Sequence, residues 1–192
     1  DFIEKHRKGL QKVDFSLDVR EKSTRQLAKR WSPDLKHAEH VTKLALWLFD
    51  ETEPAHKLGP AERDILKYAA LLHNIGYSVN YQKHHRHTFY LIMNGDLDGF
   101  KPEEIERMAW VARNHRKAFP KRNELHFLNQ KGLSRIRVLV AILRLADGLD
   151  RSHSSVVESL KCRPTTGKLV LTVKASKAAE LEPWQSRQRA AL

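Results

Sequence analysis

Five polar side chains fall where helical periodicity expects apolar ones. His37 lies four residues before Val41 and seven before Leu44, and His73 lies four after Ala69 and seven after Leu66. His87 precedes Leu91 by four, His115 continues the series Ile105, Met108 and Ala112, and Asp147 follows Leu143 by four and Val140 by seven. Each spacing places the side chain on the inward stripe of a helix. One such histidine alone is ordinarily a core residue bonded to a carbonyl. Four imidazoles and a carboxylate from five helices, however, are expensive to desolvate unless they satisfy one another, and a cation is the usual shared partner. Imidazole nitrogen with carboxylate oxygen suits Mg, Mn, Fe or Zn, with water completing the shell. Such an ion lowers the pKa of bound water and polarises a phosphoryl oxygen, which is the chemistry of phosphate hydrolysis.

The elements that must position these residues are mostly helical. The pattern predicts helices over Val19 to Trp31, from Ser32-Pro33-Asp34 to about Glu51, over Ala61 to Asn74, His85 to Met93, Pro102 to His115 and Ser134 to Leu149, with Gly and Pro between them. A basic loop from Arg116 to about Lys131 is expected. After Arg151 the pattern alternates: Val156 to Cys162 and Lys168 to Ala175 read as a hairpin turning at Pro164 to Gly167, followed by an amphipathic stretch from Pro183. The expected class is mainly α, an HD-like helical bundle over residues 1–154 with a hairpin and the start of a helix over 155–192.

Charge favours an anionic partner. The 192 residues carry 35 Lys plus Arg against 23 Asp plus Glu, a net charge of +12 with the 11 histidines neutral. Clustered cations favour phosphate-rich ligands such as polyphosphate, nucleotides or nucleic acid. Lys83, Arg86, Arg113, Arg116 and Lys117 flank His87 and His115 in sequence and are the expected phosphate contacts. Arg144 and Arg151 flank Asp147, placed either for a phosphate or for pairing with Asp150. The 41% of hydrophobic residues excludes a disordered chain. The single cysteine, Cys162, has no internal disulfide partner and fits a reducing, cytoplasmic setting. No apolar run approaches the roughly 20 residues of a membrane span. The Asn94-Gly95-Asp96-Leu97-Asp98-Gly99 run imitates a calcium loop, but Ile105 stands where the bidentate carboxylate belongs, so a helix stop and turn is expected.

The same residues carry a family resemblance. His37-Ala38, the run Ala69-Ala70-Leu71-Leu72-His73-Asn74-Ile75-Gly76, His87 with Leu91, His115 and Ala146-Asp147 resemble the HD superfamily of metal-dependent phosphohydrolases. That superfamily has Asp, a direct and often bridging ligand, where Asn74 stands here, and another frequent ligand where Asn114 stands. The resemblance implies a metal set of His37, His73, Asn74, His87, His115 and Asp147, with metal weak or absent because Asn74 is neutral.

A closer resemblance covers nearly the whole chain. The runs His84-His85-Arg86-His87-Thr88-Phe89-Tyr90-Leu91-Ile92, Asn94-Gly95-Asp96-Leu97-Asp98-Gly99-Phe100, Val111-Ala112-Arg113-Asn114-His115-Arg116-Lys117 and Leu143-Arg144-Leu145-Ala146-Asp147-Gly148-Leu149-Asp150-Arg151 look like the C-terminal half of the exopolyphosphatase and guanosine pentaphosphate phosphatase family. It implies a helical domain that lines a channel for polyphosphate or guanosine pentaphosphate and contributes to a homodimer. The catalytic carboxylate and phosphate loops would belong to an actin-like, Mg-using N-terminal half. Asp1-Phe2-Ile3 resembles the end of that half, so the chain reads as a piece of a longer protein. The rival expectations are an autonomous HD phosphohydrolase using the histidine site itself and a nucleic-acid-binding module.

Overall fold

The computed structural model describes residues 15–116, 119, 129–165 and 168–176. Lys117, the body of the basic loop, the hairpin tip and the stretch from Pro183 lie outside them. Helix α1 spans Phe15–Trp31, α2 Leu35–His56, α3 Pro60–Leu72, α4 His84–Met93, α5 Pro102–Arg113 and α6 Gln130–Leu149. Strands β1, Val157–Thr165, and β2, Lys168–Ala175, pair antiparallel with Leu160 opposite Val173 and a register shift between Val157 and Ser159. The class is mainly α with an appended hairpin, as expected, and no described helix is long and apolar enough to cross a membrane.

Local chemistry explains the helix starts. Asp34 caps α2 by accepting the His37 amide at 3.0 Å, which also fixes the first turn from which His37 projects. Pro60 begins α3 while Glu62 accepts the Gly59 amide at 3.2 Å. Pro102 begins α5, with Glu104 accepting the Lys101 amide at 2.8 Å, and Asn129 caps α6 through the Gly132 amide at 2.8 Å. Asn94 ends α4 and Gly99 turns with φ 81°, so the calcium-like run is a helix stop and turn.

The core joins α2 to α3, α6 and β1, and α5 to α3, α4 and α6. Leu44, Leu48, Leu66, Leu72, Met108, Leu139 and Leu143 are fully buried, and Val157 and Leu160 of β1 belong to the same cluster. One close approach positions the polar residues. Helix α3 stops at Leu72, and a 3-10 turn over Ile75–Ser78 lays Gly76 against the backbone of α4, where a Cβ would collide with the His84 carbonyl and the Thr88 amide. The Gly76 amide donates to Thr88 Oγ1 at 3.0 Å, and that hydroxyl donates to the His73 carbonyl at 3.2 Å. The absence of a side chain at Gly76 is what lets His73 and α4 meet.

Candidate metal and phosphate site

Three of the five inward residues converge. One ligand atom from each of His37, His73 and Asp147 lies within 4.8 Å of the others, and all three residues are buried. His37 leaves the first turn of α2, His73 follows the last residue of α3, and Asp147 sits in the last turn of α6. His37 Nε2 is 3.5 Å and His73 Nε2 3.6 Å from Asp147 Oδ1, beyond a normal N–H···O bond, and neither nitrogen has a hydrogen-bond partner among the described residues.

The outer nitrogens show which tautomers are present. His73 Nδ1 donates to the Ala70 carbonyl at 2.6 Å and His115 Nδ1 to the Ala112 carbonyl at 2.6 Å. His84 Nδ1 donates to the Tyr81 carbonyl at 3.2 Å, and His37 Nδ1 meets Asp150 Oδ2 at 2.8 Å. A carbonyl only accepts, so in His73, His84 and His115 the proton is on Nδ1 and the Nε2 lone pair faces inward, the orientation that second-shell partners impose on metal-binding imidazoles.

Charge divides the cluster. Burial pushes the His37 ring toward neutrality, but the Asp147 and Asp150 carboxylates outweigh it and raise its pKa to about 9. His73, without a second carboxylate, is lowered by burial despite Asp147. His115 is lowered well below its ordinary value by burial and then by His73. His84 is lowered to about 4, chiefly by burial. Burial opposes ionisation of Asp147 too, yet the contacts with His37 and His73 hold it well below the carboxylate range.

The other expected residues are distributed unevenly. His115, just past α5 rather than within it, is fully buried with its ring 5.1 Å from that of His73. His87 does not reach it. The imidazole that does is His84, whose Nε2 is 3.4 Å from His115 Nε2. The reason is the phase of α4: Thr88 and Ile92 are fully buried while His87 and Leu91 are half-exposed, so the inward series is 84, 88, 92. Asn74 is buried with Oδ1 unpartnered among the described residues, and Asn114 donates to the Trp110 carbonyl at 2.7 Å.

Of the expected phosphate contacts, Arg116 reaches the cluster. Its Nε lies 3.9 Å from Asp147 Oδ2 and its Nη1 donates to the Tyr77 hydroxyl. Arg113 stacks on Trp110 and Phe89, at 4.6 and 5.4 Å. Lys83 and Arg86 are exposed, and Arg151 is half-buried in the turn after α6. Arg144 is buried and donates from Nε to the Asn114 carbonyl at 2.8 Å, fastening the end of α5. Asp150, expected beside Arg144 or Arg151, accepts from His37 and from the Ser155 amide, at 2.8 and 2.7 Å. Its role was detectable in the i, i+3 spacing from Asp147. His153, which the periodicity does not single out, stacks on the His37 ring at 3.6 Å and donates to Asp34 at 2.9 Å.

The donor set fits one divalent ion: two imidazole nitrogens and a carboxylate oxygen, with the Asn74 amide oxygen nearby in sequence. It does not fit two. Asn74 supplies no bridging charge, and among the described residues the His84 and His115 pair has no carboxylate of its own.

The model of the family described as Ppx/GppA phosphatase, domain III, matches residues 19–184. The guanosine-5'-triphosphate,3'-diphosphate pyrophosphatases of Aeromonas hydrophila and Aeromonas salmonicida are 33% and 32% identical to this chain over 138 residues. Those residues are 71% of this chain and 27% of each relative, so the chain spans about a quarter of the length of the curated proteins it resembles. A match running from α1 past the hairpin, with the buried histidines and Asp147 inside it, shows that this chain belongs to the Ppx/GppA phosphatase family, as its domain III.

Proposed function

We propose that this domain grips the phosphate chain of a phosphoanhydride substrate, polyphosphate or guanosine pentaphosphate, and that hydrolysis takes place in the catalytic half implied by the family. One observation carries the reading: the Arg116 guanidinium lies 3.9 Å from Asp147 Oδ2 while Nε2 of His37 and of His73 lie 3.5 and 3.6 Å from Oδ1. Arg116 supplies planar N–H donors that match phosphate oxygens, and the Tyr77 hydroxyl holds it in place. Asp147 lies beside that guanidinium and would fill the carboxylate position of a cation site with His37 and His73. A divalent ion there would supply Lewis-acid polarisation of a phosphoryl oxygen. Homodimerisation and a cytoplasmic setting belong to the same reading.

The convergent Nε2 atoms favour a second reading, in which this domain hydrolyses a phosphate ester by itself. One experiment separates the two. The purified chain is titrated with inorganic tripolyphosphate, with and without Mn²⁺, and orthophosphate is assayed. Binding that weakens steeply with salt, drops roughly tenfold in Arg116→Ala and releases no orthophosphate is expected. Orthophosphate release that disappears in Asp147→Asn would move the chemistry into this domain, and unchanged binding in Arg116→Ala would remove the proposed grip.

A further inference from the structure

A cavity of about 150 Å³ opens at the other end of the bundle, between the starts of α3 and α6 and the middle of α5. Twelve residues of α6, about 18 Å at 1.5 Å each, separate Arg135 on its wall from Asp147. Its deep lining is apolar, formed by the buried side chains of Ile65, Ile136 and Leu139. Three cations, Arg107, Lys131 and Arg135, also line it, against one carboxylate, Glu62. That carboxylate is already engaged, because one oxygen accepts from Arg135 Nη1 and the other from the Gly59 amide. Arg107 and Lys131 have no carboxylate partner among the described residues.

Two uncompensated cations beside a concave apolar wall select for a ligand with two parts. Water and inorganic anions can satisfy the cations, but neither gains from Ile65, Ile136 or Leu139. A cavity of this volume admits a body about the size of benzene. The planar fork of half-buried Arg107 matches a head with paired oxygens, and exposed Lys131 adds a point charge at the mouth. We infer that this cavity is a second ligand site, for a small organic anion whose carboxylate or phosphate head meets Arg107 and Lys131 and whose apolar body lies against Ile65, Ile136 and Leu139. The site does not depend on the phosphate grip at Arg116. It lies at the starts of the two helices whose far ends carry His73 and Asp147, so its occupant would brace the elements that hold the buried cluster.

Benzoate, phenylphosphate and inorganic phosphate test it, titrated into the 192-residue chain and followed by amide NMR shifts. An organic probe is expected to shift the amides of Arg107 and Gly132, and the tighter of the two identifies the head group. Inorganic phosphate, which lacks the apolar body, should bind there roughly tenfold more weakly than phenylphosphate. Arg107→Ala should weaken the organic probes roughly tenfold and Lys131→Ala about threefold, whereas Arg116→Ala should leave them within about twofold. Lys131 is exposed, so its variant keeps the test open if Arg107→Ala does not fold, which circular dichroism checks. Inorganic phosphate that binds as tightly as phenylphosphate would overturn the inference, making the patch a bare phosphate contact. Organic probes whose binding disappears in Arg116→Ala would place them in the histidine site and overturn it as well. The absence of shifts at Arg107 and Gly132 with either organic probe would remove the second site and leave the phosphate grip untouched.

Discussion

The two halves of the histidine cluster are built from the same ring in nearly the same surroundings, yet they carry opposite charge behaviour. His37 is held protonated up to about pH 9, whereas His84, a few rings away, is neutral down to about pH 4. Both are buried, so burial does not distinguish them. The difference lies in the carboxylates. Asp147 and Asp150 bracket His37, whereas among the described residues no carboxylate pairs with His84, whose ring instead faces Tyr77, His85 and His115. An imidazole in a low-dielectric interior takes its charge state from its ion partners, and without one it sheds the proton. The half with carboxylates is therefore the half able to exchange a proton for a metal cation.

The largest test of this contrast is acid. His73, His84 and His115 are neutral in the fold but bind protons once unfolded, so their contribution to stability is present above about pH 6.5 and is lost as pH falls. Each steepens the loss by up to about 1.4 kcal/mol per pH unit, and for His84 the effect ends near pH 4. His37 works in the opposite sense: its raised pKa stabilises the metal-free fold below about pH 6.5, and that contribution fades as pH rises through 9. Urea midpoints across this range should form a maximum near neutrality. A flat acid limb would break the comparison.

Next in size, Asp147→Asn removes one member of a buried charged pair and is expected to destabilise the domain by about 3 kcal/mol at pH 7, read from urea unfolding. It should also lower the His37 pKa, followed by its imidazole NMR shifts, because only Asp150 then remains. The smallest effect belongs to the carboxylate-free half. His84→Phe keeps the stack on Tyr77 and removes one acid-sensitive ring, so the acid limb should flatten by about 1.4 kcal/mol per pH unit while the His37 pKa stays where it was.

Much of this arrangement was legible in the sequence, and the exceptions have physical causes. The stripes of α2, α3 and α6 are strongly apolar, so a polar residue on them stands out, and His37, His73 and Asp147 are found where the periodicity puts them. Helix α4 is different. Its inward series begins with His84 and passes through Thr88, a polar pair that hides the period, and Leu91 offers a false anchor for His87. His153 and Tyr77 act from beyond the α-helix ends, where no such periodicity operates and backbone turns decide direction. The phosphate contacts were the least legible. A surface cation has no stripe to reveal it, and Arg144 turned inward to a carbonyl while Arg113 settled on aromatic rings.

In the proposed single-cation site of His37, His73 and Asp147, occupancy would require His37 to give up a proton. Mn²⁺ affinity of the purified chain, measured by calorimetry at pH 7 and pH 8, tests it most directly. Both values lie below the His37 pKa of about 9, and His73 is already neutral there. Binding is expected to be roughly tenfold tighter at pH 8, with release of one proton per ion, and absent in Asp147→Asn. Affinity that does not change with pH, or that survives Asp147→Asn, would contradict it.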